Sequence, residues 1–525
     1  MATTEVRNYE GKKWNTIHKN GPFDLKRLYV TELSNDPGLN SIELYNDAAT
    51  EIQKLIGEAS DRNEGFRAYG SRWSMSSIAH QKDNMHFNAF MNISYNISEE
   101  ECHPNTAYLA ENLFFLECGN TIKEVSEYID KFGKSIKASG ASNGQTIAGC
   151  ISTGVHGSGL DAGAVQDYVV GLNLITGPNP EDIVYIERAS RPALADTFIE
   201  RLNAKIIRDD QLFEAALVSL GSFGFIHGVV IETENQFLLK RYIRKVPKEL
   251  ALKLADTMNF KDNEVIIPEE VDENGKPNRP YHYKVFINQY SKESEYLVEL
   301  MYKKKFFTPY PDPFPVIKES IYRDLIWLFV KIAENLPKAI PKLVKALEKT
   351  VLPVKDIERE VTGKLYEIFW DSEYKGPAFA ISFGIDHKDS SKVMELLGNL
   401  TVDKGPIPGI FAMRFVKQTK ATLGFTKFPI TCMIEIDGII WKETKKIISL
   451  EKYAQLMIEV LQANNIEFTI HWGKNAYWKQ PELLEYMFDT ESITQWKEAR
   501  KTLLSEDMRK VFSNEFIETL RLSIP

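Results

Sequence analysis

The sequence predicts an α+β protein built from two packed units. Three observations carry that prediction. At 525 residues the chain exceeds one ordinary domain. Up to about residue 238, short strand-like runs alternate with helical periods and glycine punctuates them. Between about 238 and 400 the glycine-rich character disappears and helical segments alternate with charged strands, and strand-like character resumes near 406.

Composition narrows the function classes. The chain is 43% hydrophobic and 26% charged, as expected of a soluble globular protein. A net charge of −9 leaves no basic footprint for nucleic acid. Cys102, Cys118, Cys150 and Cys432 form no C-x-x-C pair or disulfide framework, which points to reduced thiols and a cytoplasmic location. No apolar run approaches a membrane span. The histidines form no metal-ligand spacing. Neither a phosphate loop nor a Rossmann fingerprint occurs, because the glycines of 154–159 stand in the wrong order.

The elements follow in order. Residues 40–60 read as a helix, since Ala48, Ile52, Leu55, Ile56 and Ala59 recur at helical spacing. It leads to a strand at 65–68 and a Gly/Ser turn at 70–74, a βαβ-like beginning. Strand-like runs at 85–94 and 107–118 precede a helix at 121–132. Residues 167–187 read as a hairpin turning through Gly177-Pro178-Asn179-Pro180, and 228–234 as a closing strand. Residues 306–315 are an expected irregular loop. Residues 321–352 are helical in pattern, with a basic face of Lys338, Lys342, Lys345 and Lys349. Such a segment can lie on a membrane, but a solvated helix packed on a domain is the commoner role. Residues 411–416 and 431–437 alternate as strands able to floor a pocket; 450–462 is a helix and 467–472 a strand.

The chain is organised around residues 66–159, and most densely around 138–159, ASGASNGQTIAGCISTGVHGSG. Glycines there permit close backbone approach, and the Ser and Thr hydroxyls with free N–H groups supply uncharged donors. That composition suits a loop wrapped around a diphosphate and a flat polar ring.

With Phe66-Arg67-Ala68-Tyr69-Gly70-Ser71-Arg72-Trp73-Ser74, the run 146–159 and His471-Trp472-Gly473-Lys474, the chain resembles the FAD-binding domain of the vanillyl-alcohol-oxidase superfamily. It is most similar to the sugar-1,4-lactone and alditol oxidases. The family pattern "T-x-A-G-x-x-x-T-G-x-H-G-x-G" reads here from Thr146 to Gly159. The resemblance implies a PCMH-type FAD-binding domain of two subdomains plus an α+β cap. The expected boundaries are 1–238 for FAD, 239–445 for the cap, and 446–525 for a segment returning to the pocket.

The resemblance places Tyr69, Gly70, Ser71, Arg72, Trp73 and Ser74 at the diphosphate. Along the flavin it places Gly140, Ser142, Thr146, Gly149, Cys150, Ser152, Thr153, His156 and Gly157, completed by Gly224, Ile226 and Lys474. Arg414 matches the arginine of the family's "E-x-R" strand and is assigned to the substrate oxygen. Lys474, in the "H-W-G-K" turn, is assigned to the substrate or the reduced flavin. His156 is a candidate base, although a loop prop is the commoner role for such a histidine. For Cys150 the bland role is a small buried hydrophobe.

Two departures matter. Trp73 stands where many relatives attach FAD through a histidine, so the expected FAD is non-covalent. Ala412 replaces the glutamate of "E-x-R", which leaves Glu435 as the acid to reach the same space. The implied activity is hydride transfer from an alcohol (a polyol, sugar lactone or larger hydroxylated molecule) to flavin N5, with O2 or another acceptor closing the cycle. The alternatives are a dehydrogenase or reductase that avoids O2, and a flavin scaffold with non-redox chemistry.

Overall fold

The computed structural model describes residues 4–33, 38–140, 142–261, 265–311, 333–351, 360–369 and 376–523. The first sheet is made by β1 (Glu5–Glu10), β2 (Arg27–Glu32), β3 (Phe66–Tyr69) and β4 (Asn84–Phe87). Its order is β1-β2-β4-β3, with β2 and β3 both parallel to β4. The helix α1 (Ser41–Asp61) crosses from β2 to β3. Asn40 and Glu43 close a capping box at its start, and the five expected apolar positions are all buried.

A second, six-stranded sheet follows, made by β5 (Ser94–Asn96), β6 (Leu113–Glu117), β7 (Val169–Ile175), β8 (Ile183–Glu187), β9 (Lys205–Arg208) and β10 (Phe225–Glu232). Its order is β9-β8-β7-β10-β6-β5, and β7 and β8 form the expected antiparallel hairpin. Strands β7 and β8 are buried at every residue, which explains their unbroken apolar runs. Helix α2 (Ile122–Asp130) begins at a Thr121–Glu124 capping box.

The cap is an eight-stranded sheet: β11 (Phe237–Pro247), β12 (His282–Ile287), β13 (Glu295–Lys305), β14 (Val361–Gly363), β15 (Phe379–Asp386), β16 (Gly409–Lys417), β17 (Ile430–Gly438) and β18 (Thr469–Ile470). The order is β14-β11-β13-β12-β16-β17-β15-β18. The chain then returns to the first region. Trp496 Nε1 donates to Val218 O at 3.0 Å and Arg500 Nε to Ser222 O at 2.9 Å. Asn514 Nδ2 donates to Ile78 O at 3.0 Å and to His80 O at 2.8 Å.

Several local expectations change. Residues 138–159 are not one loop: Ile147–Thr153 is a helix, α3. Ile147, Cys150 and Ile151 sit at helical spacing and bury against the core, a period masked by the surrounding glycines. Gly154 ends α3 with φ 67°, a left-handed conformation that favours glycine. The expected run 85–94 splits, because it breaks after β4 and resumes only at β5. In 107–118 the strand starts only at Leu113, after a 3-10 turn at Ala110–Asn112. Only Thr469–Ile470 pairs within 467–472. Of the helix expected over 321–352, Ile340–Val351 is helical, while 321–332 and 352 lie outside the described residues, as do 312–315 of the expected loop.

Candidate FAD and substrate site

The two glycine- and hydroxyl-rich turns meet. A Cβ on Gly70 would lie 2.0 Å from Thr146 Oγ1, so only glycine allows this approach. A third turn joins them: Met75 N donates to Gly473 O at 2.7 Å, and Ser76 Oγ to Trp472 O at 2.7 Å. Trp472 is fully buried, donates to Leu423 O at 2.8 Å and stacks on Trp478 at 5.5 Å. That packing fixes the base from which Lys474 projects.

The three turns line one cavity of about 280 Å³. Tyr69, Gly70, Ser71, Arg72, Trp73 and Ser74 border it, as do Gly140, Ser142, Thr146, Gly149, Ser152, Thr153 and His156. Gly224, Ile226, Arg414 and Lys474 complete the expected set. Three expected residues do not line it. Cys150 is on the buried face of α3, where burial pushes its thiol far up. Gly157 packs against Ser139, its would-be Cβ 2.8 Å from Ser139 O. Glu435 is buried beside Arg414 and reaches the site only through it.

Two further lining residues were not among the expected site residues. Arg67 comes from the apolar-looking strand β3, and His18, from a segment far upstream, packs edge-on to Trp73 at 5.4 Å. The alternation of β3 between faces was the available clue for Arg67; none existed for His18.

The residues fit a flavin dinucleotide. Arg67 Nη1, Asn88 Oδ1 and Gln145 Oε1 are buried along the cavity without a hydrogen-bond partner among the described residues. Buried polar atoms left unpaired are costly, and a ligand rich in phosphate, ribose and ring heteroatoms would satisfy them.

One wall carries concentrated charge. Glu435 accepts from Arg414 Nε and Arg414 Nη2, both at 2.6 Å. Ser382 Oγ donates to the same carboxylate at 3.3 Å. Burial alone would raise the Glu435 carboxyl, but the Arg414 charge above all, with that of Lys474, holds it far below the usual range. Arg414 Nη1 keeps no protein partner among the described residues.

His156 Nδ1 sits 2.7 Å from Gly157 O, which assigns the ring proton to Nδ1. Its Nε2 is 3.8 Å from Glu435 Oε1. Burial, reinforced by the Arg414 cation, brings His156 down to about 3, so its ring is neutral at physiological pH. Burial also takes His471 well below its usual value; that ring stacks on Phe425 at 4.5 Å.

Comparison with known proteins agrees with this geometry. A family model described as "FAD binding domain" matches residues 45–181, and one described as "D-arabinono-1,4-lactone oxidase" matches 280–520. The D-arabinono-1,4-lactone oxidase of Saccharomyces cerevisiae is 27% identical over 27% of this chain and 23% of its own length. The L-gulonolactone oxidase of Scyliorhinus torazame is 24% identical over 41% of this chain and 42% of its own. The matches thus span less than half of these relatives. Among solved structures, a cholesterol oxidase from B. sterolicum superposes with a TM-score of 0.67 at 12% identity, covering 98% of this chain and 97% of that one. At that identity the likeness speaks for the fold. Two family models thus lie in tandem on the chain, an FAD binding domain followed by a D-arabinono-1,4-lactone oxidase domain, and the chain resembles FAD-linked oxidases of this organisation.

Proposed function

We propose that this protein oxidises a carbinol carbon of a small hydroxyl-rich molecule, of the sugar-lactone or polyol class, and passes the electrons to O2. The observation that carries this reading is the charged face of the cap sheet beside the FAD cavity. Register puts Lys284 opposite both Arg414 and Glu299, and Glu435 opposite Ala412 and Ser382. Side chains in register share a face, and on this one Arg414 lines the cavity. A sterol skeleton would strand those charges against hydrocarbon; a polyhydroxylated substrate offers them hydrogen bonds.

When bound, FAD supplies the hydride acceptor. Arg414, held by Glu435, points a fixed cation at the substrate oxygen, where charge develops as the hydroxyl proton leaves. Lys474, on its rigid turn, adds a second cation. His156, neutral and tied to Gly157, orients the loop instead of carrying charge. Trp73, whose indole has no free nucleophilic nitrogen, favours non-covalent FAD, and residues 239–445 act as the substrate cap. The cysteine pattern favours a cytoplasmic setting.

The test is anaerobic mixing of purified protein with D-arabinono-1,4-lactone, L-gulono-1,4-lactone, xylitol and cholesterol. Bleaching of the flavin by a lactone or the alditol, followed by rapid recolouring and peroxide in air, is the expected result. Failure of all three polar compounds to bleach a fully loaded protein would refute it.

A further inference from the structure

The cap sheet presents two carboxylates on the face that carries Arg414, and they differ in availability. Glu435 is fully engaged: Arg414 grips both oxygens and Ser382 adds a third bond. A carboxylate so held cannot also collect a proton. Asp437, two residues along β17, stands on the same face. Its ladder partners are Ile410 and Ala380, which bring no side-chain donor. It makes no side-chain hydrogen bond or ion pair among the described residues. Its side chain is solvent-accessible.

The charged groups that face Asp437 are Lys474 from the turn after β18, Glu435 from β17, Arg414 from β16 and Lys284 from β12. Lys474 and Arg414 both line the FAD cavity. An unengaged carboxylate beside two cavity cations is the arrangement general-base catalysis needs.

We infer that Asp437 is the carboxylate that accepts the hydroxyl proton of the substrate, taking the part that Ala412 leaves vacant. The assignment rests on the alcohol-oxidation reading above. In the step, the carbinol C–H bond breaks with its electron pair leaving as hydride to bound FAD. The O–H proton passes to a carboxylate oxygen of Asp437, and the carbon–oxygen bond becomes a carbonyl. FAD is the two-electron oxidant, and O2 later restores it.

Anaerobic stopped-flow of the holoenzyme with whichever lactone or alditol bleaches the wild type tests this. In Asp437→Asn the rate constant for flavin reduction should fall at least about 100-fold. Its decline on the acid side of the pH profile should also disappear, with flavin content and melting temperature unchanged. Asp437→Glu should restore part of the rate and the acid limb, and it serves as the test if the asparagine variant does not fold. Reduction within about threefold of wild type in Asp437→Asn, or a change confined to substrate Kd with the acid limb intact, overturns the assignment. If no polar alcohol bleaches the wild type, the oxidation reading itself fails and the assignment falls with it.

Discussion

Glu435 stands directly across the β ladder from Ala412 and binds Arg414 through two hydrogen bonds of 2.6 Å. The carboxylate that the family pattern carries on the arginine's own strand is here supplied by the neighbouring strand. Its neutralising function survives, but its oxygens are committed to the guanidinium.

Replacing Glu435 by Gln keeps the shape and removes the charge. Arg414 is then left as a buried cation with weakened hydrogen bonding, which costs about 3–5 kcal/mol. The expected outcome is a clearly lower melting temperature together with slower flavin reduction. An unchanged melting curve would show that the ion pair contributes nothing to the fold.

The contact between the two turns makes Gly70 sensitive to a single methyl group. In Gly70→Ala the new Cβ would collide with Thr146 Oγ1 at 2.0 Å, so the turns must separate. FAD affinity should fall about tenfold or more, a loss of at least about 1.4 kcal/mol, measured by titrating apoprotein with FAD. Cys150→Ala is the matching control. It removes a buried side chain from the far face of α3, so it should cost about 1 kcal/mol of stability and leave FAD affinity unchanged.

Glu299 sets part of the acid sensitivity. Burial alone would raise its carboxyl, but the His282 hydrogen bond at 3.1 Å and the Lys284 and Arg241 charges outweigh it and bring it down to about 2. Because the folded value lies below the unfolded one of about 4.3, the group stabilises the fold above the unfolded value. That stability is lost as pH falls from there through about 2. The stabilisation is on the order of 3 kcal/mol. Glu299→Gln should therefore lower stability at pH 7 and show a shallower decline toward pH 2, by chemical denaturation at each pH.

Trp73 yields a colour test. Acid precipitation of the yellow protein should release the flavin into the supernatant, since the indole offers no attachment point. Flavin remaining in the pellet would mean a covalent link elsewhere.

By itself the sequence determined the strong periodic elements and the cofactor. Helix α1, helix α2 and the β7–β8 hairpin are legible because apolar spacing and capping residues are local properties of the chain. The two glycine-rich turns are legible because close approach to a dinucleotide demands small residues in a recognisable order. Tertiary structure alone decided what those turns touch and which charges are free. Helix α3 needed the core to reveal it, since burial of Ile147, Cys150 and Ile151 outweighs the glycines around them. His18 reaches the cavity from a segment with no motif, and Arg67 from a strand whose cavity-facing side only the fold assigns. Above all, Glu435 and Asp437 are both acids on one strand, and only register separates the carboxylate locked to Arg414 from the one left open. Cross-strand pairing joins residues far apart in the chain, and no spacing rule along a single strand encodes its partner.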